Sequence, residues 1–340
     1  MEIVCLIESP AEFLRQQLAD RGFASTSDTK NNYDHVTLST LTIDDARALP
    51  STFPAINPPL TFDMKDTNFT QHDAAGKFRA LHESGCFVLP NPWDKGTATY
   101  LHHLGFKALA TTSAGFAFAR GKADGEVPRD EMLAHIREIV KASPLPVNAD
   151  FLNGYADELE SVAENVKLCI DTGVAGLSIE DNTGRADAPL YEKKLAVERI
   201  RAARSAIDSS GTLVMLTGRC EAWLVGAVGP LRTALDRLVA YAEAGADCLY
   251  APGVLAPDEI AQIVKAIAPK PVNLLISGFN HKLSFSQVAD LGVRRISVGS
   301  GLALAAWGAF IRAARDIQTN GSFELLGEGA KSAELNELFR

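Results

Sequence analysis

From about residue 70 onward the chain alternates short apolar runs with longer segments in which apolar residues return every three or four positions. The runs are "CFVLP" (86–90), "KALATT" (107–112), "LPVNA" (145–149), "AGLSIE" (175–180), "TLVMLT" (212–217), "ADCLYA" (246–251), "PVNLLI" (271–276) and "RRISVG" (294–299). Each predicts a strand. The segments 157–173, 190–207 and 230–246 carry Leu, Val, Ile and Ala at helical spacing, and Gly173 and Gly245 stand where helix stops belong. Strands that are apolar throughout, rather than at every second residue, belong to a parallel sheet covered by helices. Eight strand–helix units match the (β/α)8 barrel, whose usual span is about 250 residues. A doubly wound open sheet is the rival, and it lacks a G-x-G-x-x-G after the first strand.

Residues 1–69 do not join this rhythm. "STSDTKNNYDH" and "LPSTFPAINPPLTFDMKDTN" are polar or proline-rich, which predicts a partly ordered extension with one helix near 10–20, ahead of a barrel domain spanning 70–340. The balance of 33 basic against 42 acidic residues forms no basic stripe, so nucleic acid is not an expected partner. Five scattered cysteines without CxxC spacing fit the reduced thiols of a cytoplasmic protein better than a disulfide scaffold or a zinc site. Glu2 and Glu8 flank a very short apolar run, and no run approaches about twenty residues, so neither a signal peptide nor a membrane span is expected.

In a barrel of this kind the chemistry gathers where the strands end. Those positions hold Asn91 and Asp94, then Ser113, Ala114, Gly115 and Asp124, then Asn148 and Asp150, then Glu180 and Asp181, then Arg219 and Glu221. Crowded carboxylates repel unless a cation compensates them, and hard oxygen donors suit Mg²⁺ or Mn²⁺. Helix capping competes with that reading, more strongly for Asp94 and Asp157 than for Asp150 and Glu180. Arg219 follows an apolar strand, where its fork would bind a substrate carboxylate or phosphate; an internal pair with Glu221 or Glu180 is the alternative. "TTSAG" offers small residues whose amides could form an anion nest. Cys220 has no base placed for it and reads as a packing residue. His102 and His103 lie in a helical segment and read as surface or packing residues.

Taken together, "LPNPWDKGTA", "TTSAGFAFARGKADGE", "VNADFLNGYAD", "SIEDNTG", "LTGRCEAW", "AEAGADCLYAPG" and "RRISVGS" resemble the isocitrate lyase/phosphoenolpyruvate mutase superfamily over residues 70 to 340, in order. The resemblance implies a (β/α)8 barrel whose last helix is exchanged between subunits of a dimer or tetramer, and a Mg²⁺-bound 2-oxo acid or its enolate. It assigns Asp150 and Glu180 to the metal, and Arg219, Asp124 and Asn148 to catalysis. Ser113, Ala114, Gly115, Trp93 and Asp94, with Arg219, are assigned to the substrate.

The sequence departs from the family pattern in several places. Asn148 stands where many members have Asp. The "KKCGH"-type loop that carries the catalytic cysteine of isocitrate and methylisocitrate lyases is missing; the chain reads "FLNGYADELES" after Asp150 and "DNTGRADAPLYE" after Glu180. The second of these segments also lacks a lysine-rich gate of the phosphonomutase kind, and the sixth strand ends in "YAPG" without the Glu or His that some members carry. What the resemblance leaves is a Mg²⁺-dependent lyase acting on a small 2-oxo or 2-hydroxy diacid by decarboxylation or C–C cleavage. The alternatives are a phosphonate P–C bond enzyme and a non-catalytic binding barrel.

Overall fold

The structure is a computed structural model and describes residues 70–278 and 282–340. The extension 1–69 and its expected helix lie outside the described residues. All eight expected strands form: β1 (Phe87–Leu89), β2 (Leu109–Ala110), β3 (Val147–Asp150), β4 (Gly176–Glu180), β5 (Met215–Arg219), β6 (Cys248–Tyr250), β7 (Val272–Leu275) and β8 (Arg295–Ser297). The helices are α1 (Gln71–Ala80), α2 (Lys95–His103), α3 (Ser113–Ala119), α4 (Arg129–Ala142), α5 (Leu159–Ile170), α6 (Lys193–Ser209), α7 (Pro230–Glu243), α8 (Pro257–Ile267), α9 (Phe285–Asp290), α10 (Gly301–Asn320) and α11 (Ser332–Leu338). Each strand pairs in parallel with its neighbours in the order β1-β8-β7-β6-β5-β4-β3-β2. This is the (β/α)8 barrel.

Between β1 and β2 the ring is closed chiefly by a side chain. The Ala110 N–H donates to Pro90 O at 3.0 Å. Beside it, the Asn91 amide donates to Thr111 O at 2.8 Å, while its Oδ1 accepts the Val298 and Gly299 amides, both at 2.9 Å. Asn91 therefore ties β1 to both of its neighbours, which accounts for an amide at that strand end.

The period of two along each strand sorts the side chains. Ala149, Leu177, Ile179, Leu216, Leu249, Leu274 and Ile296 face outward into the main core under the helices. The alternate positions face the barrel axis. At its lower end Phe78 of α1 plugs the barrel against Leu89, Ala108, Ala110 and Met215. Above that plug the interior is polar. Arg295, 2% exposed, donates to Asn273 Oδ1 at 2.8 Å and Thr217 Oγ1 at 3.0 Å.

Strand β5 runs further than its apolar stretch predicts, from Met215 to Arg219 rather than 212–217. The cause lies at Gly218, which faces outward: an added Cβ would meet Tyr241 Cβ at 3.0 Å and Ala246 Cβ at 3.2 Å. The bare backbone lets α7 press against the strand, so the ladder continues until Arg219 is opposite Glu180. Asp94 caps α2 through Thr97 N at 2.7 Å, as expected. Asp157 does not cap α5. Its carboxylate instead takes the Tyr191 hydroxyl and Arg185, in a loop whose carbonyls at Asn153 and Asp157 are held by buried Arg199. Helix α10 buries only Ala303 and leaves Leu304, Trp307, Phe310 and Ile311 exposed.

His135 on α4 is 3% exposed, stacked on Phe116 at 3.8 Å between ring centroids, with no hydrogen-bond partner on either ring nitrogen. Burial pushes its pKa down to about 4. The unfolded chain therefore binds a proton near pH 6.5 that the folded chain refuses until about pH 4, so this residue costs stability progressively as pH falls through that window. His135→Phe should flatten the loss of stability between pH 7 and 4 by roughly 2–3 kcal/mol. Denaturant titrations of both proteins at several pH values check this; parallel curves would refute it.

Candidate active site

Residues from three adjacent strands meet at the C-terminal mouth of the barrel. Arg219 and Glu180 are register partners on β5 and β4, and Asp150 is one strand further along, opposite Ser178. The Arg219 Nη1 lies 3.3 Å from Asp150 Oδ1 and 3.2 Å from Glu180 Oε2. Its Nε donates to Glu221. The internal ion pairs of Arg219 thus exist, and they involve the same carboxylates that the metal reading singles out.

Asp150 is tied down from two sides. Its Oδ2 accepts the Ser113 amide at 2.9 Å, and its own N–H donates to Thr111 Oγ1 at 2.9 Å. Two of the amides expected to form an anion nest are therefore engaged within the protein: Ser113 N binds Asp150, and Gly115 N binds Thr112 Oγ1 at 3.1 Å. This corrects the nest reading for Ser113 and Gly115; Ala114 lies between them on the first turn of α3. The Ser113 hydroxyl reaches Asp124, which brings that loop carboxylate toward Asp150.

Other expected residues make their hydrogen bonds outside this group. Asn148 sits two residues before Asp150, one layer down the barrel, with its Nδ2 on Ala149 O at 3.3 Å. A Cβ on Gly176 would come within 2.7 Å of its Oδ1. It faces the glycine of β4 rather than the carboxylates. One oxygen of the exposed Asp94 carboxylate, Oδ1, caps α2, and Trp93 is partly buried with its amide on Thr97 Oγ1 at 3.3 Å. His102 and His103 lie in the last turn of α2, and Cys220 is fully buried.

Electrostatics mark the same cluster. Burial raises the Glu180 pKa well above the usual carboxylate range; Arg219 opposes this, while Glu221, Asp150 and Asp124 add to it. Glu221 is raised by burial against the pull of Arg219. Asp124 is raised by burial and then by Asp150. Burial disfavours charge on Arg219 itself, but Glu180, Glu221 and Asp150 outweigh it and hold the guanidinium protonated. One cation serves more carboxylates than it can neutralise.

Among the described residues, no three His, Cys, Asp or Glu side chains stand as a finished metal cage. The donor chemistry nevertheless fits a hard dication. Glu180 Oε2 is buried without a hydrogen-bond donor, the Arg219 contact lying off the N–H direction. All the candidate donors are oxygens, and the raised carboxylates favour added positive charge. Asp150 and Glu180 would hold the ion, with Asp124 reaching it through water.

Two neighbours complete the cluster. Glu221, one of the two partners expected for an internal pair with Arg219, holds its Nε. Tyr250, register partner of Arg219 on β6, lies with its ring centroid 5.2 Å from the guanidinium carbon, and burial pushes its phenol up to about 12. The "YAPG" ending lacks the Glu or His of some members, and its tyrosine is the residue beside Arg219.

Comparison with known proteins decides the family. The phosphoenolpyruvate phosphomutase family model matches residues 78–318. The chain belongs to that family. Its structural neighbours include a protein of Burkholderia cenocepacia J2315 assigned as a lyase/mutase, 47% identical, with a TM-score of 0.77 over 79% of this chain and 97% of the other. A 2-methylisocitrate lyase of Salmonella typhimurium is 32% identical over 53% of this chain and 62% of its own length. An oxaloacetate decarboxylase of Rhodopseudomonas palustris is 29% identical over 59% and 70%. The relatives named in this isocitrate lyase/phosphoenolpyruvate mutase superfamily are lyases and mutases, and the chain is an enzyme of that superfamily. That sets aside the non-catalytic barrel.

Because burial raises the Glu180 pKa, folding stability without metal falls as pH rises from the unfolded carboxylate value through the folded one. Glu180→Gln should remove that slope and, in EDTA, melt roughly 2 °C or more above the wild type at pH 8. Calorimetric melts at pH 6 and 8 test this; a variant less stable than wild type at both would contradict it.

Proposed function

We propose that this enzyme is a divalent-metal-dependent lyase that decarboxylates or cleaves a small 2-oxo or 2-hydroxy diacid through an enolate. The supporting observation is the junction of Asp150, Glu180 and Arg219 at one barrel mouth. Bound at Asp150 and Glu180, Mg²⁺ or Mn²⁺ would supply Lewis-acid stabilisation of the negative charge that gathers on the 2-oxo oxygen. The protein supplies the rest. Arg219 has Nε committed to Glu221 and Nη1 beside Asp150 and Glu180, so it can leave those two carboxylates to grip the far carboxylate of a diacid. Ser113 and Thr111 keep Asp150 in a single orientation while that exchange occurs.

Two features narrow the reaction. The loops after β3 and β4, residues 151–158 and 181–192, contain no cysteine, which favours chemistry that needs no thiol acid. Charge at the mouth favours a carboxylate over a phosphonate, because one guanidinium would serve a dianionic group poorly. The family model's own description keeps a P–C bond reaction as the second reading. A Mg²⁺-dependent screen of oxaloacetate, methylisocitrate, dimethylmalate and phosphonopyruvate, following formation of pyruvate, oxalate, phosphate and phosphoenolpyruvate, separates the two. Turnover of a diacid, abolished by EDTA and lowered roughly 100-fold or more in Arg219→Ala and Asp150→Ala, is the expected result. Turnover of phosphonopyruvate alone would favour the second reading, and turnover of none would reject both.

The exposed face of α10, with Phe310 62% exposed, supports assembly into a homodimer or tetramer that covers it. Light scattering of the wild type and Phe310→Asp checks this; the variant should shift toward monomer, and a monomeric wild type would refute it. The four cysteines among the described residues are free, and no helix there is long and apolar enough to cross a membrane, which supports a cytoplasmic location.

A further inference from the structure

Asp181 follows Glu180 in sequence but points away from the barrel axis, and it is 2% exposed. Its Oδ1 accepts the Glu221 amide at 2.8 Å. Its Oδ2 accepts the Tyr241 hydroxyl at 2.7 Å and Arg237 Nη1 at 3.0 Å, both from α7. Arg237 is itself anchored, with Nη2 on Tyr191 O at 2.8 Å. The Asp181 amide donates in turn to Arg219 O at 3.2 Å. One residue thus brackets the segment Arg219–Cys220–Glu221, by main chain at its start and by side chain at its end.

A buried carboxylate paired to one arginine adds little to folding that apolar side chains of the same volume would not, so its location is the informative property. Glu221 is the group through which that location matters. Its amide is fixed by Asp181 and its carboxylate holds Arg219 Nε. We propose that Asp181, with Tyr241 and Arg237, is a positioning device for Arg219: it sets Glu221, and Glu221 aims the guanidinium at the mouth. The kinetic consequence rests on the reading of Arg219 as the carboxylate-binding residue; the geometric one does not.

Tyr241→Phe removes one hydroxyl and leaves the ring in place, whereas Asp181→Asn disturbs the whole bracket. Crystal structures of the wild type and Tyr241→Phe, each with Mg²⁺, test the geometry: the Arg219 guanidinium should move by more than about 1 Å away from Glu221. Steady-state kinetics on the diacid turned over by the wild type test the consequence. KM should rise about tenfold in Tyr241→Phe, the scale of one hydrogen bond to a charged group, with kcat within about twofold. Adding Tyr241→Phe to Glu221→Gln should raise KM no further than Glu221→Gln alone. An unmoved guanidinium, or a lowered melting temperature with KM unchanged, would overturn the proposal. A moved guanidinium in a protein that turns over no diacid would uphold it and reject the proposed reaction instead.

Discussion

A single guanidinium in a ring of half-buried and buried carboxylates is the interaction on which the rest of the site depends. Asp150, Glu180 and Glu221 approach one another at the barrel mouth because Arg219 lies among them. Without it, three acids at these separations would repel, and burial would drive protons onto them. With it, the cluster keeps its shape but not its neutrality, and the shortfall of positive charge makes the mouth receptive to a dication. The arginine pre-organises the carboxylates, and the carboxylates hold the arginine ready for an anion.

The architecture fixes where this can occur. A closed parallel barrel presents every second residue of each strand to its axis, and register brings Glu180 opposite Arg219 and Arg219 opposite Tyr250. The rim is polar, the layer beneath it holds Arg295 with Asn273 and Thr217, and Phe78 seals the base. Outside the strands, Asp181 and Arg199 hold the loops that carry the site. Chemistry occupies one end of the barrel and packing the other.

The barrel was legible in the sequence because its signal is repetitive: eight apolar runs separated by helical periods leave little choice of topology. Asp150, Glu180 and Arg219 were legible because each is a charged residue at the end of an apolar run. Local rules failed where the deciding contact is distant. Asp157 looks like a cap, but Tyr191 and Arg185 claim it from more than twenty residues away. Ser113 and Gly115 look like open amides, but Asp150 and Thr112 fill them. β5 outruns its apolar stretch because Gly218 accommodates a helix whose position no local pattern encodes. Asn148 shares the axis-facing side of β3 with Asp150, one layer deeper, where Ala149 O and Gly176 are its neighbours.

The seam beside Asn91 has a consequence of its own. Elsewhere the ring is knitted by continuous backbone ladders, but β1 and β2 share one main-chain bond and the reach of one amide side chain. A ring fails at its weakest joint, so thermal breathing should begin there, with the earliest strand parting from the second while the other seven joints stay zipped. Because the same amide also secures the turn after β8, such breathing would loosen the footing of α10, and the fluctuation of one joint would be felt along the apolar helix.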